Sequence, residues 1–143
     1  MISNSSKYTI KAVLYLGLNS SKEKKVTARE IAGPVKAPLP YISKLLQELV
    51  RRGLISSQKG PKGGFYLNDS NRKSSLMEIV TAIDGEMRIQ ACVLDLENCN
   101  NERPCPLHHA IYPAKSLMID YLTNETVDSF SEKYDSVNDY FET

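Results

Sequence analysis

Residues 59–64 read Lys-Gly-Pro-Lys-Gly-Gly, three glycines and a proline in six positions. No helix or unbroken strand crosses such a segment, because glycine gives up too much backbone freedom and proline lacks an amide donor. Short runs with apolar positions flank it, Leu54-Ile55-Ser56-Ser57-Gln58 before and Gly64-Phe65-Tyr66-Leu67 after. The pattern predicts a two-stranded hairpin with a basic tip over Lys59–Gly63. The tip is not a phosphate loop: it lacks the Gly-Lys-Ser/Thr ending and the helix that must follow.

Three helices are predicted ahead of the hairpin. Over residues 6–19, Ile10, Val13, Leu14, Gly17 and Leu18 follow helical spacing, with Tyr8, Ala12 and Tyr15 on a flank, so this helix is buried on several sides. A short second helix opens at Thr27, whose side chain and that of Glu30 form a capping box, with Val26 and Ile31 at the staple positions. Gly33-Pro34 is expected to end it after about two turns. A tight connection over 35–39 leads into a third helix with Pro40 in its first turn. Its buried stripe is Ile42, Leu45, Leu46, Leu49 and Val50, its open face Tyr41, Ser43, Lys44, Gln47 and Glu48, and Gly53 ends it.

After the hairpin, Ser75-x-x-Glu78 caps a fourth helix carrying Leu76, Ile79, Val80 and Ile83, closed by Gly85. Residues 86–106 read as irregular. From 107 the apolar positions Leu107, Ile111, Ala114, Met118, Tyr121 and Leu122 form a coiled-coil-like seam, in which Pro113 marks either a kink or a helix start. A last short helix near 126–134 carries Val127, Phe130 and Tyr134.

The predicted fold class is mainly α with a small β-hairpin. Helix, short helix, turn, amphipathic helix and basic hairpin is the order of a winged helix-turn-helix. The expected organisation is a DNA-binding domain over 1–85, a Cys-rich cofactor loop over 86–106, and a dimerisation helix with a C-terminal helix over 107–143. The seam would expose an apolar stripe on a monomer, which predicts a homodimer reading a pseudo-palindromic site in double-stranded DNA.

Charge supports a polyanion partner. Residues 1–73 hold 14 Lys and Arg against 4 acidic residues, whereas residues 74–143 hold 4 against 13, although the net charge is only +1. A basic working half and an acidic remainder suit nucleic acid. Tyr41, Ser43, Lys44 and Gln47 are the candidate groove-facing residues. Lys59, Gly60, Pro61, Lys62 and Gly63 are the candidate backbone or minor-groove contacts. No apolar run is long enough to span a bilayer and the first residues lack a signal-peptide pattern, so a cytoplasmic protein is expected. No catalytic constellation is present, so an enzyme is not expected.

All three cysteines fall in one polar stretch, spaced Cys92-x6-Cys99-x5-Cys105, with His108 three positions further on. Three thiols and an imidazole at such spacing can enclose zinc or an iron–sulfur cluster, and the long gaps favour a cluster. His108 is preferred to His109 as fourth ligand: a helix starting near Pro106 would bring Cys105 and His108 to one face.

At this point the sequence resembles the Rrf-two family of bacterial transcriptional regulators, most nearly its IscR-like iron–sulfur members. The likeness runs nearly end to end: Ser6-Lys7-Tyr8 and Ala12–Leu16, Leu45–Leu54, the tip Lys59–Phe65, Ile79–Gly85 and the Cys/His loop. It implies a dimer held by the long C-terminal helix, with the metal ligands Cys92, Cys99, Cys105 and His108 holding a 2Fe–2S cluster that selects operators. A 4Fe–4S cluster is the alternative, and air could strip either from an aerobic preparation. NsrR-like members use an Asp on the first helix, but here the first carboxylate is Glu23. Lys62 replaces a glycine of the commoner tip, and Ser43 stands where IscR-like members can carry Glu. The resemblance also implies repression as the commoner mode. The other reading is a regulator of this fold without a cluster, acting through thiol redox or a partner protein.

Overall fold

The structure is a computed structural model, and it describes residues 2–133. Eight helices and two strands are described, in the order α1 (Asn4–Asn19), α2 (Ala28–Val35), α3 (Leu39–Arg51), β1 (Ser56–Gln58), β2 (Gly64–Tyr66), α4 (Asp69–Arg72), α5 (Leu76–Asp84), α6 (Glu86–Gln90), α7 (His108–Asn124) and α8 (Val127–Glu132). The expected fold class holds: a mainly helical chain with one small hairpin.

α1 starts earlier than its apolar pattern, because Ser3 caps it by accepting the Ser6 amide at 3.0 Å. Ala12, Val13 and Leu16 lie in the core, while Ile10 and Leu18 are half-buried. The expected stripe therefore omitted Leu16, which sits at the centre of the packed face. α2 opens on the Thr27–Glu30 capping box, with Val26 and Ile31 both buried. It does not end at Gly33-Pro34. α2 runs through Pro34 to Val35, and the burial of Ile31, Ala32 and Val35 holds this last turn against the core despite the proline. Lys36 then turns left-handed at φ 57°, and its amide bonds the Gly33 carbonyl.

α3 buries Ile42, Leu46 and Leu49 against α1, α2 and α5. Leu54 and Ile55, read as strand, instead form a buried foot, and pairing is confined to Ser56↔Tyr66, Ser57↔Phe65 and Gln58↔Gly64. Val26 adds a bridge on the other edge of β2 by exchanging both backbone bonds with Phe65, at 2.8 and 2.7 Å. Gly63 is constrained at the tip, since a Cβ there would lie 2.1 Å from the Gln58 carbonyl oxygen. Gly63→Ala is expected to loosen the hairpin, with amide exchange at Ser56 and Tyr66, a hydrogen-bonded pair of the ladder, faster by about tenfold and helical circular dichroism unchanged. Equal exchange in the two proteins would show that the tip absorbs the methyl group.

Two helices have no counterpart in the sequence reading. α4 is four residues long and is held by a reciprocal Asn68–Asn71 cap. α6 opens the segment expected to be irregular and buries only Ile89. α5 is capped by Ser75 and Glu78 and stops at Gly85, φ 79°. α7 begins at His108, not Pro106, and passes through Pro113. α8 ends at Glu132, so Tyr134 lies outside the described residues.

One continuous core runs from Ala12 to Val127. α8 returns to α1 closely enough that a Cβ on Gly17 would meet Ser131 Oγ at 2.1 Å. Arg72 ties the same corner: its guanidinium donates to the Gly17 and Ser20 carbonyls, each at 3.1 Å, and pairs with Asp128 at 3.5 Å. Two backbone bonds, Leu76 N–H to Glu125 O and Val127 N–H to Ser74 O, stitch the end of α7 to the start of α5.

Candidate nucleic-acid interface and metal centre

α3 turns its apolar stripe inward and leaves Lys44 and Gln47 exposed, with Ser43 half-buried beside them. Tyr41 is half-buried. Its ring meets Tyr8 edge to face at 5.8 Å, and its hydroxyl is hydrogen-bonded to Ser5 of α1. Its polar end is therefore already engaged within the protein. At the hairpin tip Lys59, Gly60, Pro61 and Lys62 are exposed and Gly63 is half-buried. Among these Lys and Gln side chains no described ion pair engages a charge, whereas Glu48 on α3 is bound by Arg51 and Arg52.

Sequence reasoning missed what orients the hairpin. Asn71 is buried, donates to the Gly53 carbonyl at 3.0 Å, and accepts from Ser56 Oγ at 2.7 Å. It thus joins the end of α3 to the first strand. Lys25 lies over the Tyr66 ring at 5.3 Å, bracing the other side. The Asn68-x-x-Asn71 spacing was the available signal.

The second constellation lies between α6 and α7. Cys92, Cys99 and Cys105 bring their sulfurs within 4.8 Å of one another. The loop reaches this through successive turns. Asp95 adopts φ 55° and its amide bonds the Cys92 carbonyl, while Asn100 Oδ1 accepts the Glu102 and Arg103 amides. Backbone amides aim at sulfur: Leu94 N–H at Cys92 and Cys105 N–H at Cys99, both 3.4 Å. Such donors favour thiolate. Amides of Leu96 and Leu94 bring the Cys92 thiol down to about 7. At Cys99 the Cys105 amide pulls the same way, but burial and the two neighbouring thiols push that thiol up.

His108 stands on the first turn of α7. Its Nδ1 is 3.3 Å from Cys99 Sγ and its Nε2 is 3.0 Å from Asn101 Oδ1, with the ring stacked on Tyr112. Its near thiol is that of Cys99, whereas the sequence reading paired it with Cys105; the later start of α7 accounts for the change. His109 is exposed. A tetrahedral metal with bonds of about 2.3 Å sets its thiolates about 3.8 Å apart. The Cys92–Cys105 separation of 3.6 Å is of that size. The three soft thiols therefore fit zinc or an iron–sulfur cluster, while His108 reaches Cys99 from beside the group without joining it.

A helix-turn-helix with a braced basic hairpin, followed by a three-thiol loop, defines a winged-helix regulator. The chain belongs to the Rrf2 family (Rrf-two above), described as an iron-dependent transcriptional regulator, which matches it over residues 2–133. A chain of Aquifex aeolicus named as an HTH-type transcriptional regulator is 31% identical over 129 residues, covering 89% of this chain and 88% of that one. IscR of Pectobacterium carotovorum is 26% identical over 127 residues, covering 89% and 76%. Among solved structures, CymR, the global cysteine regulator of B. subtilis, superimposes with a TM-score of 0.73 at 19% identity, covering 94% of this chain and 98% of that one. IscR of T. potens gives 0.68 at 19%, covering 93% and 87%. The protein is a DNA-binding transcriptional regulator, not an enzyme. Among the described residues no helix is long and apolar enough to cross a membrane.

Proposed function

We propose that the protein is a cytoplasmic, homodimeric repressor whose DNA binding is governed by an iron–sulfur cluster held by Cys92, Cys99, Cys105 and His108. The observation that carries this reading is the convergence of three sulfurs within 4.8 Å beside an imidazole nitrogen. The family's description as iron-dependent favours iron over zinc. The imidazole suits a 2Fe–2S cluster, since it replaces a thiolate with a neutral donor. When bound, such a cluster supplies a centre sensitive to oxidants, iron–sulfur status or nitric oxide. Residues 1–85 bind DNA, 86–106 hold the cofactor and 107–143 dimerise. Anaerobic purification with iron and sulfide quantification tests the cluster directly; a colourless protein free of both would overturn it.

On DNA, Lys44 and Gln47 face base edges of a pseudo-palindromic operator, with Ser43 and Tyr41 at the leading end. Lys59 and Lys62 meet the backbone, where Gly60, Pro61 and Gly63 allow close approach. Lys62→Ala is expected to weaken binding to every sequence and to lower the salt slope by about one contact. Gln47→Ala is expected to change sequence preference at unchanged slope. A double Lys59→Ala, Lys62→Ala variant binding as tightly as the parent would remove the hairpin from the interface.

A second reading rests on the 3.6 Å between Cys92 and Cys105 and the lowered Cys92 thiol. It is regulation by thiol oxidation without a cluster, and peroxide-dependent loss of DNA binding by a metal-free protein would favour it.

A further inference from the structure

Lys115 is an unexpected residue on α7. It is only 9% exposed, in the middle of a helix whose other charged residue, Asp120, is open to solvent. Its ammonium donates to the Ala91 carbonyl at 2.6 Å and the Gln90 carbonyl at 3.2 Å. These carbonyls close α6 and lead directly into Cys92. His108, Tyr112, Lys115 and Ile119 share one face of α7 at helical spacing, and this face lines a cavity of about 390 Å³ whose opposite wall includes Cys92 and Cys99.

An ammonium taken from water is costly unless a counter-charge or full hydrogen bonding offsets the loss. Two neutral carbonyls satisfy two of its three donors and supply no net charge. Among the described residues no carboxylate pairs with Lys115: the four ion pairs lie at Glu48, Asp128 and Glu125. Asp120 lines the same cavity but forms no ion pair with Lys115. The remaining groups on that cavity able to carry negative charge are the thiols, which become thiolates on binding metal.

We infer that Lys115 is a positioning residue of the three-thiol centre, clamping the chain that enters Cys92 and setting a fixed positive charge beside the thiolates. This rests on the metal-site reading above. The clamp holds the first ligand, which is separated from the other two by the longest gap. The charge offsets repulsion among thiolates held within 4.8 Å of one another.

The test compares Lys115→Met, which keeps the bulk and removes donors and charge, with Lys115→Arg, which keeps both. In the metal-free, reduced protein, amide exchange at Ala91 and Asp95 reads the clamp. Cobalt(II), followed by its thiolate charge-transfer band, reads the site. Lys115→Met is expected to speed exchange and to weaken cobalt binding by about tenfold, with Lys115→Arg recovering most of both. Wild-type exchange and affinity in Lys115→Met, or equal loss in both variants, would overturn the inference and leave Lys115 a packing residue. A wild-type chain that takes up no cobalt would overturn the metal-site reading and the charge role with it, while the exchange measurement would still decide the clamp.

Discussion

If the three-thiol loop holds a metal as proposed, Cys105→Ser is expected to abolish its binding. Cys105 is the most buried of the three cysteines, and its sulfur is 3.6 Å from that of Cys92. A serine hydroxyl is hard, stays protonated near neutral pH and cannot replace a soft thiolate. Loss of one of three thiolates should weaken zinc or cobalt binding by about a hundredfold or more and abolish iron and sulfide retention. The helical fold should persist, because the core runs through α1, α3 and α5 and excludes the loop. Iron and sulfide at wild-type levels in Cys105→Ser would place the cofactor elsewhere.

Leu117→Glu is expected to convert the protein to a monomer. The sequence seam mixed two faces of α7. In the fold Leu122 enters the monomer's own core and Met118 packs against it, whereas Leu117 is 72% exposed and Tyr121, one turn further on, lies exposed on the same face. A monomer would leave that stripe in water. A buried carboxylate across a two-fold contact meets its own copy, so the penalty is counted twice. Sedimentation at about 10 µM should give a monomer with native circular dichroism, and operator affinity should fall by about a hundredfold as bivalent contact is lost. A dimer under those conditions would exclude this stripe from the interface. Met118→Glu is the poorer probe, since it would damage the fold as well.

Much of this was legible in residue order. Capping boxes at Thr27 and Ser75 and glycine stops at Gly53 and Gly85 are short-range signals, and the structure keeps each. The hairpin was legible because its glycines and proline forbid alternatives. The brief helices α4 and α6 were not, since four or five residues carry no periodicity. The cysteines announced a site by crowding, but the approach of His108 to Cys99 depends on where α7 begins. Lys115 was invisible for another reason: a lysine inside an amphipathic helix reads as solvent-facing until the loop across from it is seen.

The return of α8 onto α1 bears on how the protein is made. The wall that closes over Gly17 is supplied by Ser131, and the buried Val127 arrives with it. A growing chain released only as far as the end of α5 carries the hairpin and all of α1, yet lacks this last cover. At ordinary translation speeds that interval is on the order of seconds. Until residue 131 has cleared the ribosome, the face of α1 around Gly17 lacks its cover of Ser131 and Val127, and a chain paused there is expected to expose that face to chaperones or to neighbouring nascent chains.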